Sequence, residues 1–164
     1  MLLIRPCRPD DFDAIHAIIN DAAQAYRGVI PADRWHDPYM TREALAAEIA
    51  DGVAFSGAEV DGALAGVMGI QDRGEVALVR HAYVRTAVRR GGIGSALLAH
   101  VEGLAGKPIL IGTWAAADWA IRFYEKHGYR QVTPAEKDVL LPRYWRIPAR
   151  QVETSVVLAS PSYR

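Results

Sequence analysis

The sequence predicts an α/β fold in which a mixed β-sheet is flanked by helices. Two extended segments, residues 53–60 and 63–70, are joined by Asp61-Gly62, a pair that tolerates the backbone angles of a tight hairpin. A strand, a helix and another strand then follow one another between residues 75 and 111. Because this order places its two strands parallel in one sheet, the sheet combines antiparallel and parallel pairs.

The first half of the chain opens with a strand near residues 2–6 and a helix that begins at Pro9. Gly28 and Pro31 end this helix and start an irregular segment. Thr41 is a suitable N-cap for a second helix, since its hydroxyl can accept a hydrogen bond from a first-turn amide. The apolar stripe that predicts the first helix consists of Phe12, Ile15, Ile18, Ile19, Ala22 and Tyr26.

The second half predicts two helices, one that starts in the glycine-rich run at 89–94 and one over 116–127. Residues 134–150 vary in character and predict no regular element. The first of these helices is expected to bury Ile93, Leu97, Leu98, Val101 and Leu104. The extended segments of this half lie at 75–84, 109–111, 129–132 and 152–159.

The composition favours a single globular domain over residues 1–164. The 19 Lys and Arg balance 19 Asp and Glu, which argues against a general nucleic-acid surface because such surfaces carry net positive charge. Cys7 has no second cysteine to pair with, and no apolar run is long enough to cross a membrane. Since the start of the chain shows no signal-peptide pattern, the expected location is the cytoplasm.

A glycine-rich turn, Arg-Arg-Gly-Gly-Ile-Gly at 89–94, stands where a strand ends and a helix begins. The first amides of a helix have no partner within it, and glycines let a ligand approach the backbone, so the turn predicts an anion site. The alternative is a turn that needs glycine for its shape alone. Leu97 breaks the dinucleotide-binding pattern, and the Gly-Lys-Ser or Gly-Lys-Thr of a P-loop is lacking. Arg80 and Arg85 either add to the phosphate site or form a solvated edge.

Arg89, Gly92 and Gly94 match the signature of the Gcn5-related N-acetyltransferase family. This signature has six positions: Arg or Gln first, Gly fourth, and Gly or Ala sixth. The sequence resembles that family beyond this turn as well. The strand at 81–84 precedes the turn, as it does in the family. Downstream, residues 120–129 read Ala-Ile-Arg-Phe-Tyr-Glu-Lys-His-Gly-Tyr. This run is similar to the family's second block, which commonly reads Asn-x-x-Ala-x-x-x-Tyr and ends in Gly-Phe or Gly-Tyr.

The resemblance implies the acyl-CoA N-acyltransferase fold, a mostly antiparallel central sheet of about six or seven strands with flanking helices and a parallel strand pair at the cofactor cleft. It also implies acetyl-CoA as cosubstrate and direct transfer of its acetyl group to an amine, without an acyl-enzyme. Ala117 stands where many members have an Asn that contacts the cofactor. The residues at the family's cofactor-binding positions are Ala82, Tyr83, Val84, Arg89, Arg90, Gly91, Gly92, Ile93, Gly94 and Ser95.

Tyr124 matches the family tyrosine that protonates the departing thiolate, and a phenol of pKa ~10 can share its proton with a thiol of pKa ~8.5. The alternative for Tyr124 is a core aromatic. The general base is left open between two candidates. His81 lies on the strand that enters the turn, on the same face as Val79 and Tyr83 if side chains alternate, and Glu75 begins that strand on the same face. A structural role is the alternative for each.

Acceptor binding is expected to involve two aromatic segments, 26–40 and 142–146, because family members vary most in these regions. Their bulk favours a small-molecule amine over the first alternative, a protein N-terminal or lysine acetyltransferase. The second alternative is a non-catalytic acyl-CoA-binding sensor, and the retained Tyr124 argues against it. The aromatic side chains of the two segments would otherwise cap the core or form a homodimer contact. Trp114 and Trp119 are expected to be structural, and no residue spacing is typical of a metal site. The candidate substrate-binding residues are Tyr26, Trp35 and Tyr144.

Overall fold

The computed structural model describes residues 1–88 and 92–164. Its strands are β1 (Leu2–Pro6), β2 (Ala54–Val60), β3 (Ala63–Asp72), β4 (Ala77–Val84), β5 (Ile109–Trp114), β6 (Arg130–Gln131) and β7 (Ser155–Ala159). They form one seven-stranded sheet in the order β1-β2-β3-β4-β5-β7-β6. β4 and β5 run parallel, whereas the pairs β1-β2, β2-β3, β5-β7 and β6-β7 are antiparallel. The mixed, mostly antiparallel sheet predicted from the sequence is confirmed.

Six α-helices accompany the strands in the described part of the chain. They are α1 (Phe12–Ala23), α2 (Arg42–Ala50), α3 (Ile93–Ala105), α4 (Asp118–Lys126), α5 (Pro134–Tyr144) and α6 (Ala149–Glu153). The predicted N-cap of α2 is confirmed, since the Thr41 hydroxyl accepts a hydrogen bond from the amide of Ala44 at 3.0 Å. None of the helices formed by residues 1–88 and 92–164 is long and apolar enough to span a membrane.

The hairpin between β2 and β3 is also confirmed. Asp61 and Gly62 both have positive φ angles, 51° and 87°, which is the combination that a two-residue hairpin turn requires. Val60 and Ala63 pair directly across the turn. The antiparallel register of β2 and β3 is therefore set by the turn chemistry that the sequence indicated.

The segment 134–150, to which the sequence assigned no element, contains α5 and the start of α6. α5 starts after Thr133, whose hydroxyl accepts a hydrogen bond from the amide of Glu136 at 3.2 Å. Pro134 occupies the first turn, where a missing amide hydrogen has no cost. The strand predicted for 152–159 begins only at Ser155, because α6 continues to Glu153.

Two compact units make up the chain. Unit 1 consists of Met1–Ala25, His36–Asp72 and Val79–Gly106. Unit 2 consists of Tyr26–Trp35, Arg73–Leu78 and Lys107–Arg164.

Unit 1 has a core built by the apolar stripe of α1 and by residues of α2, β2 and β3. Its buried members are Ile15, Ile18, Ile19, Met40, Leu45, Val53, Phe55, Leu64 and Val67. Four residues of the predicted stripe of α3 are also buried: Ile93, Leu97, Leu98 and Val101. The fifth, Leu104, is 57% exposed, which corrects the prediction; it lies in the last turn of α3, directly before Gly106 ends the helix.

Unit 2 has its own core between α5 and the strands β5 and β7. The side chain of Trp145 belongs to it, and the ring of Tyr144 packs against it while remaining half-buried. The other buried members are Val76, Leu78, Leu110, Val132, Leu140, Leu141, Val157 and Ala159. The aromatic pair at 144–145 therefore caps the core of this unit, one of the two roles left open by the sequence.

Candidate active site

The N-terminus of α3 lies where the sequence predicts an anion site. Gly92 is its N-cap residue and has φ +71° and ψ 13°, a left-handed conformation that L side chains rarely adopt. Its carbonyl accepts a hydrogen bond from the amide of Ala96 at 3.1 Å, and the amides of residues 93–95 form the first turn of the helix. First-turn amides have no acceptor within their own helix, and this is the general reason that anions bind at helix N-termini. Three further residues predicted for this turn lie outside the described part of the chain: Arg89, Arg90 and Gly91.

The end of β4 and the start of α3 both pack closely against Gly66 of β3. A Cβ atom on Gly66 would lie 3.1 Å from Cγ2 of Ile93 and 3.2 Å from the carbonyl oxygen of Tyr83. Such distances are tighter than nearly all Cβ contacts, so a larger residue would force one neighbour away. Gly66 therefore fixes the spacing between two predicted cofactor-binding segments.

The strand residues predicted to bind the cofactor, Ala82, Tyr83 and Val84, are half-buried at the carboxyl end of β4. The next residue, Arg85, donates its amide hydrogen to the Ala65 carbonyl at 2.8 Å. Its Nε–H donates to the Leu64 carbonyl at 3.0 Å. Because these hydrogen bonds attach Arg85 to the backbone of β3, its side chain holds the exit of β4 in place.

His81 lies within β4 and has φ +56°, a left-handed conformation that costs a residue with a side chain about 1–2 kcal/mol. The His81 ring lies 6.3 Å, between centroids, from the ring of Tyr83, two residues further along the strand. The imidazole is half-buried and stacks on the ring of Phe55, with 6.2 Å between the ring centroids. Strained residues of this kind concentrate at functional sites.

Glu48 of α2 is the partner of His81 and was missed by the sequence analysis. Its Oε1 atom lies 2.7 Å from Nε2 of His81 and 2.8 Å from Nη2 of Arg80. Burial by itself would raise the pKa of Glu48, but the hydrogen bond from His81 and the charges of His81 and Arg80 outweigh it, so the pKa is lowered. Glu48 is therefore an ionised, largely buried carboxylate.

Glu75, the second candidate base, does not begin the strand as predicted. β4 starts at Ala77, and the side chain of Glu75 is 79% exposed in the preceding turn. Its carboxylate lies 3.5 Å from Nη2 of Arg143. The turn residue Gly74, with φ +82°, keeps Glu75 outside the extended segment.

Tyr124 of α4 is buried in unit 2, with 6% of its surface exposed. Burial raises the pKa of its hydroxyl well above the usual range, and the neighbouring Tyr26 raises it further. The rings of Phe123 and Tyr129 meet it edge to face, with centroids 5.2 Å and 5.9 Å away. The hydroxyl of Tyr124 therefore stays protonated at neutral pH and is a proton donor.

Tyr26 belongs to the same aromatic group. It is buried, and its ring stacks on Trp119 with 5.8 Å between centroids and 28° between planes. Trp119 itself is 38% exposed. Trp114, by contrast, is buried as expected.

The other two candidate substrate-binding residues have different surroundings. Trp35 is half-buried and follows the short 3-10 helix Ala32–Arg34. Tyr144 packs against the core of unit 2, and the guanidinium of Arg143 lies 5.1 Å from its ring centroid. Tyr26 therefore has the clearest link to Tyr124.

Ala117 precedes α4 as its N-cap residue and is fully buried. Its carbonyl accepts hydrogen bonds from the amides of Ala120 and Ile121, at 3.1 Å and 3.2 Å. A methyl side chain cannot form the hydrogen bond that an Asn at this position would offer to a ligand. Among residues 1–88 and 92–164, no cluster of three or more His, Cys, Asp or Glu could hold a metal ion.

The predicted residues thus form two sets. Unit 1 holds the end of β4 and the start of α3, together with the pair of His81 and Glu48. Unit 2 holds Tyr124, stacked aromatic rings and the first turn of α4. The first set contains first-turn helix amides and an imidazole, and the second contains a buried phenol.

The chain belongs to the family of GNAT acetyltransferases. Residues 19–139, more than half of the chain, match the family model described as acetyltransferase (GNAT) domain. Enzymes of this family use acetyl-CoA as the acetyl donor, which agrees with the cosubstrate predicted from the turn at α3. None of the curated proteins matches the sequence.

Solved structures with the same fold cover the whole chain. The PaiA N-acetyltransferase of Thermoplasma acidophilum, in complex with coenzyme A, has a TM-score of 0.75 and 17% identity over 99% of both chains. The ribosomal-protein-S18-alanine N-acetyltransferase of Escherichia coli has a TM-score of 0.69 and 18% identity over 100% of this chain and 96% of its own. N-acetylglutamate synthase of Neisseria gonorrhoeae, complexed with coenzyme A and N-acetyl-glutamate, has a TM-score of 0.68 and 20% identity over 100% of this chain and 36% of its own.

Proposed function

We propose that this protein transfers the acetyl group of acetyl-CoA to the primary amine of a small molecule, by direct attack of the amine on the thioester. The observation that carries the proposal is the buried, protonated hydroxyl of Tyr124 beside the stacked rings of Tyr26 and Trp119. A proton donor in an aromatic setting suits the departure of a thiolate next to a compact acceptor.

The cofactor side of the reaction is assigned to the start of α3. The amides of residues 93–95 and the open backbone at Gly92 receive the pyrophosphate of acetyl-CoA. The strand residues Ala82 to Val84 pair with the pantetheine arm through their backbone groups. Arg89 and Arg90 add charge to the phosphates in this assignment, since a guanidinium can bind a phosphate through two hydrogen bonds.

The chemical steps need one base and one acid. An amine with a pKa near ~10 is protonated at neutral pH and must lose a proton before it attacks. The imidazole of His81 accepts this proton, and the nitrogen lone pair then forms the new C–N bond at the thioester carbonyl. When the C–S bond breaks, Tyr124 gives its proton to the thiolate of coenzyme A.

The acceptor is assigned to the aromatic group of unit 2. The exposed part of Trp119 and its stacked partner Tyr26 form a flat apolar surface close to Tyr124 in the same unit. Such a surface suits the body of a small amine by area burial and, for an ammonium, by cation–π attraction. Arg143 lies 3.5 Å from the carboxylate of Glu75, so it is not assigned to the binding of a substrate carboxylate.

The experiment is a screen of amines with acetyl-CoA that follows release of free thiol. One panel holds small amines, with and without a carboxylate or an aromatic ring. A second panel holds peptides with free N-termini or lysine side chains. The protein is assayed beside Tyr124→Phe and a Tyr163→Phe control, which removes the same hydroxyl from a half-buried tyrosine near the end of the chain.

We expect thiol release with members of the first panel. Release with peptides alone would overturn the small-molecule assignment in favour of a protein acetyltransferase. Binding of acetyl-CoA without thiol release on any amine would overturn the enzyme assignment and favour a sensor module. A Tyr163→Phe variant as impaired as Tyr124→Phe would remove the case for Tyr124 as the acid.

A further inference from the structure

We propose that Glu48 is a positioning residue that fixes the hydrogen of His81 on Nε2, so that Nδ1 is the atom that takes the proton from the amine. The inference rests on the proposed function, because it assigns His81 as the base. It adds the specific atom that acts and the residue that orients it. Neither Glu48 nor this role was indicated by any sequence motif.

The side chains of His81 and Glu48 lie within hydrogen-bond distance of each other. Nε2 of His81 and Oε1 of Glu48 are 2.7 Å apart, which is a short, charge-assisted hydrogen bond. The lowered pKa of Glu48 keeps its carboxylate ionised at neutral pH, and an ionised carboxylate can only accept. The hydrogen of this bond therefore belongs to Nε2 in the neutral imidazole as well as in the protonated one.

The tautomer follows from that assignment. A neutral imidazole with hydrogen on Nε2 has its lone pair on Nδ1. Within residues 1–88 and 92–164, no hydrogen bond to Nδ1 of His81 is formed. Nδ1 is thus the ring atom of His81 that is ready to accept a proton.

The position of Glu48 is itself held by neighbours. Arg80 donates from Nη2 to the same carboxylate oxygen at 2.8 Å and from Nη1 to Oε1 of Gln71 at 3.2 Å. The Gln71 amide, which is almost fully buried, donates to the Asp51 carbonyl at 2.9 Å. A carboxylate fixed in this way restricts the imidazole to one orientation, because the short hydrogen bond to Nε2 sets the direction of the ring.

The backbone conformation of His81 independently supports a fixed orientation of its imidazole. Its left-handed φ of +56° is unfavourable for a residue with a side chain and persists only where the surroundings enforce it. The hydrogen bond to Glu48 and the stacking on Phe55 are two such constraints. Together they present Nδ1 in a defined direction.

The first test is the tautomer itself, read by NMR on protein with ¹⁵N-labelled histidine and assigned with a His81→Gln variant. We expect the neutral His81 of the wild type to carry hydrogen on Nε2 and to show a proton signal protected from solvent exchange. Glu48→Gln should keep this signal, since its amide oxygen can still accept. Glu48→Ala should lose it. This readout does not depend on acetyl transfer, so it remains decisive if the proposed function fails.

The second test is kinetic and uses an amine found in the screen. Glu48→Gln removes the charge and keeps the shape, so kcat should fall by about tenfold or more while the KM for acetyl-CoA changes by less than about twofold. Glu43→Gln is the matched control, because Glu43 lies on the same helix and is exposed. In a His81→Gln background, Glu48→Gln should cause no further loss.

Three results would overturn the proposal. The first is a neutral His81 in the wild type with hydrogen on Nδ1. The second is a Glu48→Gln variant that keeps the wild-type kcat. The third is a loss of kcat by Glu48→Gln that persists in full when His81 is already replaced, since Glu48 would then act independently of His81. Absence of thiol release by the wild type on every amine would instead refute the proposed function.

Discussion

Nε2 of His81 lies 2.7 Å from Oε1 of Glu48, although 33 positions separate the two residues in the chain. The contact joins β4 to α2 within unit 1 and connects the strained residue of the strand to an ionised carboxylate. The proposed base is therefore part of a fixed polar group, and not a lone histidine in an apolar strand. Local features of the structure around this pair and elsewhere in unit 1 lead to predictions that can be checked separately.

Replacing Gly92 tests the left-handed N-cap of α3. Nothing lies within 4 Å of a Cβ built on Gly92, so the cost of Gly92→Ala comes from the backbone, with φ +71°, and not from a clash. We expect the free energy of unfolding to fall by about 1–2 kcal/mol, measured by urea denaturation. Affinity for coenzyme A should fall as well, because the methyl group restricts approach to the first-turn amides.

The control for this prediction is Gly103→Ala in the same helix. Gly103 lies in the interior of α3, is exposed, and has no atom within 4 Å of its built Cβ. Because alanine favours the helix over glycine, this variant should gain about 0.5–1 kcal/mol and bind coenzyme A unchanged. Equal stability changes of the same sign in the two variants would contradict the assigned N-cap geometry.

The acid stability of unit 1 should depend on Asp11. The hydrogen bond from the Arg5 guanidinium, together with one from the Arg8 amide, lowers the pKa of the Asp11 carboxyl to about 2. In the unfolded chain this pKa is about 3.9, so the native state binds fewer protons between these values. The contribution is complete above about pH 4 and is lost as the pH falls toward 2.

Asp11→Asn should therefore lower the free energy of unfolding by about 1–2 kcal/mol at pH 7, and the difference from the wild type should shrink as the pH falls toward 2. Urea unfolding at a series of pH values measures this. Asp10→Asn is the control, since the Asp10 carboxylate is 86% exposed and lies 3.8 Å from Arg8. It should change the free energy by less than about 0.5 kcal/mol at pH 7. A difference for Asp11→Asn that grows below pH 4 would contradict the sign.

Cys7 should react slowly in the folded protein. Burial raises the pKa of its thiol to about 11, with a further contribution from the charge of Asp11. Since the thiolate is the reactive form, alkylation by iodoacetamide at pH 7.5 should be about a hundredfold slower than for free cysteine. Mass spectrometry of native and urea-unfolded protein measures the two rates. Similar rates in both states would show that the thiol is not shielded.

Cys7→Ala should retain acetyl transfer, because direct attack by the amine requires no acyl-enzyme. The readout is the rate of thiol release with an amine from the screen. Circular dichroism keeps a folding defect separate from a chemical one, since the cysteine packs against the core of unit 1. A folded variant without activity would indicate a covalent intermediate on the cysteine.

Much of the fold could be predicted because its signals are local. The hairpin at Asp61-Gly62 and the cap at Thr41 depend on residues a few positions apart, and both are present. α5 also has a local signal, the Thr-Pro-x-Glu run that begins at Thr133, although no element was assigned to residues 134–150. Pro142 lies near the end of α5, where a proline ends a helix without preventing it.

The site was only partly predictable because its key contacts join distant residues. Glu48 belongs to no sequence motif, and its contact with His81 forms only because the fold brings α2 next to His81. A turn displaces Glu75 by two residues from the start of β4, which is within the usual uncertainty of a strand boundary. Tyr124 was accessible from the sequence because its signal is a motif, whereas the stacking of Trp119 on Tyr26 depends on the folded chain.

The most direct test of the account is the turnover of Tyr124→Phe, measured as thiol release beside the dissociation constant for acetyl-CoA. The substitution keeps the buried ring and removes the hydroxyl that is proposed to donate the proton. We predict that kcat falls by at least about a hundredfold, while the dissociation constant changes by less than about twofold. A Tyr124→Phe variant that turns over at the wild-type rate would contradict the account.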